Sequence, residues 1–148
     1  MPGDARSLKI TDPFTHSFQW SRRFTGLKLY LSLLMFGVKG YSDVIESQVD
    51  IGNRLRELLT ADAWSIVNDS PLPVVCFTDE SFSGDSEFIR TICDTIVRSG
   101  KAWISVYPMG NKEVLRACVT NYNTENKHIE KLVKHLGQVR ESYIRKDL

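Results

Sequence analysis

The sequence predicts an α+β domain, a small antiparallel sheet with helices on one face, preceded by a helical segment that would pack on a large domain missing from this chain. Three observations predict it. Runs of helical spacing are interspersed with short runs of period two, a Gly110-Asn111 pair separates two alternating runs, and the first helical run is apolar nearly all round.

The 148 residues, 42% of them hydrophobic, suffice for one core and are too few for two independent domains. Residues 1–20 are polar, contain Pro2, Gly3 and Pro13, and read as an extended lead-in to a single domain over 21–148. From Phe24 to Phe36 Lys28 is the one charge, and Gly37 and Gly40 are expected to close this first helix. It is too short for a membrane span, which needs about 20 apolar residues, so it is expected to be buried by protein on several sides.

A second helix is expected from Ser42 as N-cap, with Ile45, Val49, Gly52, Leu55 and Leu59 as its stripe and Glu46, Asp50 and Arg54 in water. Trp64–Val67 and Leu72–Phe77 read as strands joined by the turn Asn68-Asp69-Ser70-Pro71. A polar loop, Asp79–Ser86, leads to a helix carrying Phe88, Ile89, Ile92, Cys93, Ile96 and Val97 and ending at Gly100. Ala102–Tyr107 and Glu113–Thr120 alternate as the two arms of a hairpin. Thr124 is expected to cap a last helix with the stripe Ile129, Leu132, Val133, Leu136, Val139 and Tyr143. Glu125 complements its positive end, Arg145 and Lys146 its negative end, and Lys127, Lys131 and Lys134 form its wet face.

With Gly110 and Asn111 central in the turn, Tyr107 falls opposite Val114, Ser105 opposite Arg116, and Trp103 opposite Cys118. Period two then places Ile104, Val106, Leu115, Ala117 and Val119 under the helices. The other face receives Trp103, Ser105, Tyr107, Val114, Arg116 and Cys118. Arg116 is the residue of interest, because an arginine inside an apolar strand must find an anion or escape to water. It either pairs with a nearby carboxylate, lies over Trp103 or Tyr107, or stands ready to grip a ligand carboxylate with two parallel hydrogen bonds.

A formal charge of +1 gives no field to draw the chain to nucleic acid or an anionic membrane. Cys76, Cys93 and Cys118 are odd in number, far apart and set in apolar runs, so they read as small buried hydrophobes in a reducing cytoplasm. His16, His128 and His135 lack the neighbours of a metal site, and the last two read as solvated helix residues. No glycine-rich turn opens a helix to cradle phosphate.

The sequence resembles the group II pyridoxal-phosphate decarboxylases, of the aspartate aminotransferase fold class, over most of its length. The resemblance is carried by Ser21-Arg22-Arg23-Phe24 with Leu27-Lys28-Leu29-Tyr30 and Leu34-Met35-Phe36-Gly37, by Val74-Val75-Cys76-Phe77, and by Val114-Leu115-Arg116-Ala117-Cys118-Val119-Thr120-Asn121. It implies the C-terminal small domain of a homodimeric decarboxylase, closing a pocket for an L-amino acid against a large domain that binds pyridoxal 5'-phosphate. Arg116 matches an arginine that contacts the substrate's carboxylate in glutamate-type members. Ser105 and Tyr107, as its cross-strand neighbours, would line the same pocket.

Arg22 and Arg23 would hold the helix start in place. The family's Schiff-base lysine directly follows a histidine, whereas Lys127-His128 and Lys134-His135 run in the reverse order, and Asp12-Pro13 with His16 and Trp20 encloses no lysine. The fragment is therefore expected to bind no cofactor and to be inactive alone. A non-catalytic interaction module of the same fold, or the small domain of a carbon–carbon lyase, are the alternatives.

Overall fold

The computed structural model describes residues 24–145. The readings made for residues 1–20, for Ser21, Arg22 and Arg23 and for Lys146 lie outside the described residues. The chain divides into two units, with the boundary between Val38 and Lys39.

In the first unit, helix starts at Thr25 and leaves Leu34, Met35 and Phe36 well exposed, at 71%, 80% and 61%. A helix apolar all round has no wet face to offer, and the cover expected for these side chains is not supplied by the described residues of this chain.

The expected break between two helices is found at Gly37: α1 (Thr25–Ala61) is two helical stretches that meet at a kink there, where a φ of 65° and a ψ of 176° leave helical geometry, and the second stretch resumes directly after it, ahead of Ser42. Only glycine takes such a backbone without strain. Ser42 is therefore no N-cap: it lies inside the helix and donates from Oγ to Glu46 Oε1, one turn on, at 3.0 Å.

In the second unit, α1 buries Gly52, Leu55 and Leu59, while Glu46, Asp50 and Arg54 face water as their spacing predicts. Ile45, placed on the same stripe, is instead 51% exposed, so the buried stripe begins a turn later than expected. Gly52 marks where the helix backbone meets the following turn, since a Cβ there would fall 2.9 Å from Pro73 Cα.

Strands β1 (Ser65–Ile66) and β2 (Val74–Thr78) pair antiparallel. Asn68 closes the turn between them, its Oδ1 accepting from the Cys76 N–H at 2.7 Å and its Nδ2 donating to the Val74 carbonyl at 3.0 Å. Arg56, one turn after Gly52 on α1, ties the same turn to the helix by donating to the carbonyls of Ser70 and Val74, at 3.1 and 2.8 Å.

The loop that follows is more ordered than its polarity predicts. It holds a 3-10 turn, Glu80–Phe82, capped by the Asp79 carboxylate, and Phe82 stacks on Phe88 at 4.3 Å between ring centroids. Asp85 caps α2 (Ser86–Arg98), accepting from the N–H groups of Glu87 and Phe88 at 2.9 and 3.0 Å. This helix buries Phe88, Ile89, Ile92, Cys93 and Ile96.

Strands β3 (Ser105–Met109) and β4 (Lys112–Cys118) form the expected hairpin, with Gly110 at φ 61° in the first central position, where a two-residue II′ turn places glycine. Tyr107↔Val114 and Ser105↔Arg116 pair as predicted. Trp103↔Cys118 does not. β3 begins only at Ser105, and just past Cys118 the Val119 N–H bonds instead to the Pro73 carbonyl beside β2, which leaves Trp103 outside the sheet and exposed.

Sheet order is β1-β2-β4-β3, antiparallel throughout. The last helix, α3 (Asn126–Ile144), starts one residue later than expected: Glu125 is the N-cap and its N–H donates to His128 Nδ1 at 3.0 Å, while the Thr124 N–H is used by a turn to the Asn121 carbonyl. Ile129, Val133 and Leu136 are buried, with Leu132, Val139 and Tyr143 packed against the core. The helices of this unit thus cover one face of the sheet, that of Ile66, Val75, Phe77, Val106, Leu115 and Ala117.

Candidate functional site

The candidate site lies on the opposite face. Cross-strand register puts Arg116 between Cys76 on β2 and Ser105 on β3, with Tyr107 and Val114 paired in the next row. The Arg116 Nε–H donates to Ser105 Oγ at 3.3 Å, and the guanidinium carbon lies 4.7 Å from the centre of the Tyr107 ring. The structure therefore brings the three sequence-predicted residues together.

Their environment is intermediate between core and solvent. Arg116 and Ser105 are half-buried and Tyr107 is exposed along one side, whereas Val114 and Cys76 are buried. Of the partners foreseen for Arg116, Tyr107 is found and Trp103 is not, and no ion pair among the described residues involves it. The contact with the ring is worth about 0.5–2 kcal/mol and fixes the plane of the guanidinium. Nη1 and Nη2 make no hydrogen bond among the described residues, so their four N–H donors remain for a planar, bidentate anion.

The guanidinium also acts on its neighbour. Burial pushes the Cys76 thiol up from its ordinary value, the positive charge of Arg116 draws it back down, and Cys118 on the same face raises it again. The thiol thus stays protonated and inert at neutral pH, as expected of a buried cysteine. Cys93 behaves likewise: it is buried, and its Sγ lies 3.6 Å from the Ile104 carbonyl. Cys118 is the exception to the buried reading, because its side chain faces outward near the end of β4 and is exposed.

Among the described residues no cluster of His, Cys, Asp or Glu could hold a metal ion, and no helix is long and apolar enough to cross a membrane. The solvated reading holds for neither histidine of α3 without change. His128 serves the helix cap, and His135 is half-buried with its Nε2 hidden from solvent and without a hydrogen-bond partner.

Sequence reasoning also missed Arg140. It donates to the Asp62 carbonyl at 2.8 Å, sits 3.5 Å from the buried Asp79 carboxylate, and stacks 5.0 Å over the Trp64 ring. Its position one turn after Leu136, at the edge of the apolar stripe, was the available signal. This cluster locks α3 to the end of α1 and to the loop after β2, and its charges are satisfied within the fold.

The family model for the pyridoxal-dependent decarboxylase conserved domain matches residues 5–79, about half of the chain. The 4-hydroxyphenylacetaldehyde synthase of Rhodiola rosea is 29% identical over 84% of this chain, and the aromatic-L-amino-acid decarboxylase of Mus musculus is 27% identical over 92%. The chain spans only 26% and 28% of those relatives.

Solved structures agree. The Rhodiola synthase aligns with a TM-score of 0.72 at 29% identity, over 82% of this chain and 27% of that one. The Oryza sativa TDC with PLP and tryptamine aligns with a TM-score of 0.79 at 22% identity, over 91% of this chain and 30% of that one, a likeness of fold. With half of its length matched by the family model, the chain belongs to the pyridoxal-dependent decarboxylase family.

Proposed function

We propose that this chain is the C-terminal small domain of a pyridoxal-phosphate-dependent L-amino-acid decarboxylase, and that it closes the substrate pocket without carrying the cofactor. The carrying observation is that the two terminal guanidinium nitrogens of Arg116 have no hydrogen-bond partner among the described residues, with Tyr107 and Ser105 holding the group on the sheet face that the helices leave open. Arg116 receives a substrate carboxylate through Nη1 and Nη2, Tyr107 and Ser105 fix its orientation, and water is displaced as the pocket closes. Arg116 lies outside the span matched by the family model, so this role rests on geometry and on the resemblance of its strand.

The residues present do not fit pyridoxal phosphate by themselves. No lysine follows a histidine anywhere in the sequence, and no glycine-rich turn opens a helix. In the parent enzyme the cofactor supplies an electron sink, and the domain described here supplies orientation and charge. The names of the relatives support an aromatic L-amino acid as substrate. The exposed apolar surface of Leu34, Met35 and Phe36 supports a missing large domain that covers it. Family resemblance supports a homodimer, and the unpaired cysteines support a cytoplasmic setting.

In the full-length protein, Arg116→Ala is expected to lower kcat/KM by roughly ten- to a hundredfold, with Arg116→Lys recovering part of the loss. Unchanged kinetics together with a large fall in Tm would return Arg116 to a purely structural role. The reading frame ahead of Met1 is expected to encode a histidine followed by a lysine, and its absence there would remove the decarboxylase assignment. The name of the Rhodiola relative favours a second outcome for the same substrates, an aldehyde in place of an amine, which product analysis of the full-length enzyme decides.

A further inference from the structure

A second site is built where α3 passes the loop between α2 and β3. Lys101 from that loop and His128, Lys131, Lys134 and His135 from α3 line one cavity of about 540 Å³, and no carboxylate lines it. The chain as a whole carries only +1, so this gathering of cations is local and does not follow from composition. Lys127, which lies outside the cavity, is neutralised by Glu125 at 2.8 Å, whereas Lys101, Lys131 and Lys134 take part in no ion pair among the described residues.

The imidazoles add directed chemistry. His128 Nδ1 already accepts the Glu125 N–H at 3.0 Å, which leaves the proton of the neutral ring on Nε2 as a donor. His135 lines the same cavity with its ring, while its Nε2 is hidden from solvent and turned away from any ligand there. Leu132 and Ala102 give the cavity an apolar floor. Its volume falls in the range of about 300–1,000 Å³ common to small-molecule sites.

We propose that this cavity binds a small molecule carrying two or more phosphate groups. Three ammonium groups from two elements repel one another until an anion of matching charge bridges them, and a single monovalent carboxylate would leave most of that charge unmet. A pyrophosphate-bearing ligand spans Lys101 on one side and Lys131 and Lys134 on the other, accepts a hydrogen bond from His128, and rests any apolar body on Leu132. The inference is independent of the role given to Arg116, which lies on another face of the domain.

The test uses the 148-residue chain and inorganic pyrophosphate as probe. Saturable shifts of the His128 and His135 ring C–H signals at submillimolar pyrophosphate are expected, with a parallel rise in Tm. Lys101→Gln combined with Lys131→Gln and Lys134→Gln is expected to weaken binding by at least roughly tenfold. Lys39→Gln, at an exposed lysine paired with Asp43, is expected to leave binding unchanged and controls for the loss of positive charge. Absence of a saturable response, an equal response in the triple variant, or an equal response to sulfate at matched ionic strength would each overturn the proposal.

Discussion

Along β4, Glu113, Leu115 and Ala117 point one way and Val114, Arg116 and Cys118 the other, and the two sets meet different fates. Leu115 and Ala117 disappear under helices of the same chain. Even the charged residue of that set finds its partner there, since Glu113 takes two hydrogen bonds from Arg90 on α2, at 2.6 and 2.8 Å. Arg116, one residue along from Leu115, finds a ring and a hydroxyl but no carboxylate among the described residues. The lesson is that one strand can serve the fold with one face and a ligand with the other, and the unmatched charge marks which face is which.

That contrast can be broken most sharply at Leu115. Leu115→Ala removes a fully buried side chain under α2, and is expected to cost about 2–5 kcal/mol of stability through lost burial and the cavity left behind. Urea unfolding of the chain measures it. A cost below about 1 kcal/mol would mean that the helices do not seal this face.

Gly52→Ala tests the same seal from the helix side. The added Cβ meets the backbone of Pro73, which cannot swing aside as a side-chain tip would, so a loss of about 1–3 kcal/mol is expected. A neutral or stabilising result would show that α1 is seated farther from the turn. Arg116→Ala comes next: in this chain alone it removes a ring contact and one hydrogen bond, and stability is expected to change by about 1 kcal/mol or less. A loss as large as that of Leu115→Ala would erase the distinction between the two faces.

Much of this was legible in the sequence because it depends on period and on turn chemistry. Gly110-Asn111 set the hairpin register, and register alone placed Ser105 and Arg116 side by side. What period two cannot report is where a strand starts, and Trp103, which alternates correctly, stands outside β3. Gly37 was read as a stop and does break helical geometry, but the second helix begins directly after it and leaves Ser42 inside. Thr124 and Glu125 both offer a side-chain oxygen, and the choice between them was made by His128, whose ring reaches back to the Glu125 N–H. The Asp62, Asp79 and Arg140 cluster joins residues far apart in sequence, so no local pattern announces it. The open Nη pair of Arg116 was foreseen as one of three outcomes; choosing among them required knowing that no carboxylate among the described residues is in reach.

The smallest expected effect separates Glu113 from Arg116 on the two faces of β4 by pH. The hydrogen bonds from Arg90 hold the Glu113 carboxyl below the ordinary carboxylate range, against a desolvation effect that works the other way. A carboxyl whose value is lowered on folding binds its proton more readily in the unfolded chain. It therefore contributes stability above the unfolded value of about 4.3, and that contribution fades as pH falls through the folded value. Because Arg90 is largely exposed, the contribution is small and screened by salt. The difference in urea midpoint between the unmodified chain and Glu113→Gln is thus expected to be present at neutral pH, to shrink on acidification through the carboxylate range, and to shrink again at neutral pH when salt is added. A difference that stays constant through the acid range would mean that the pair does nothing for the folded state, and Glu113 would then be no better matched on its face than Arg116 is on the other.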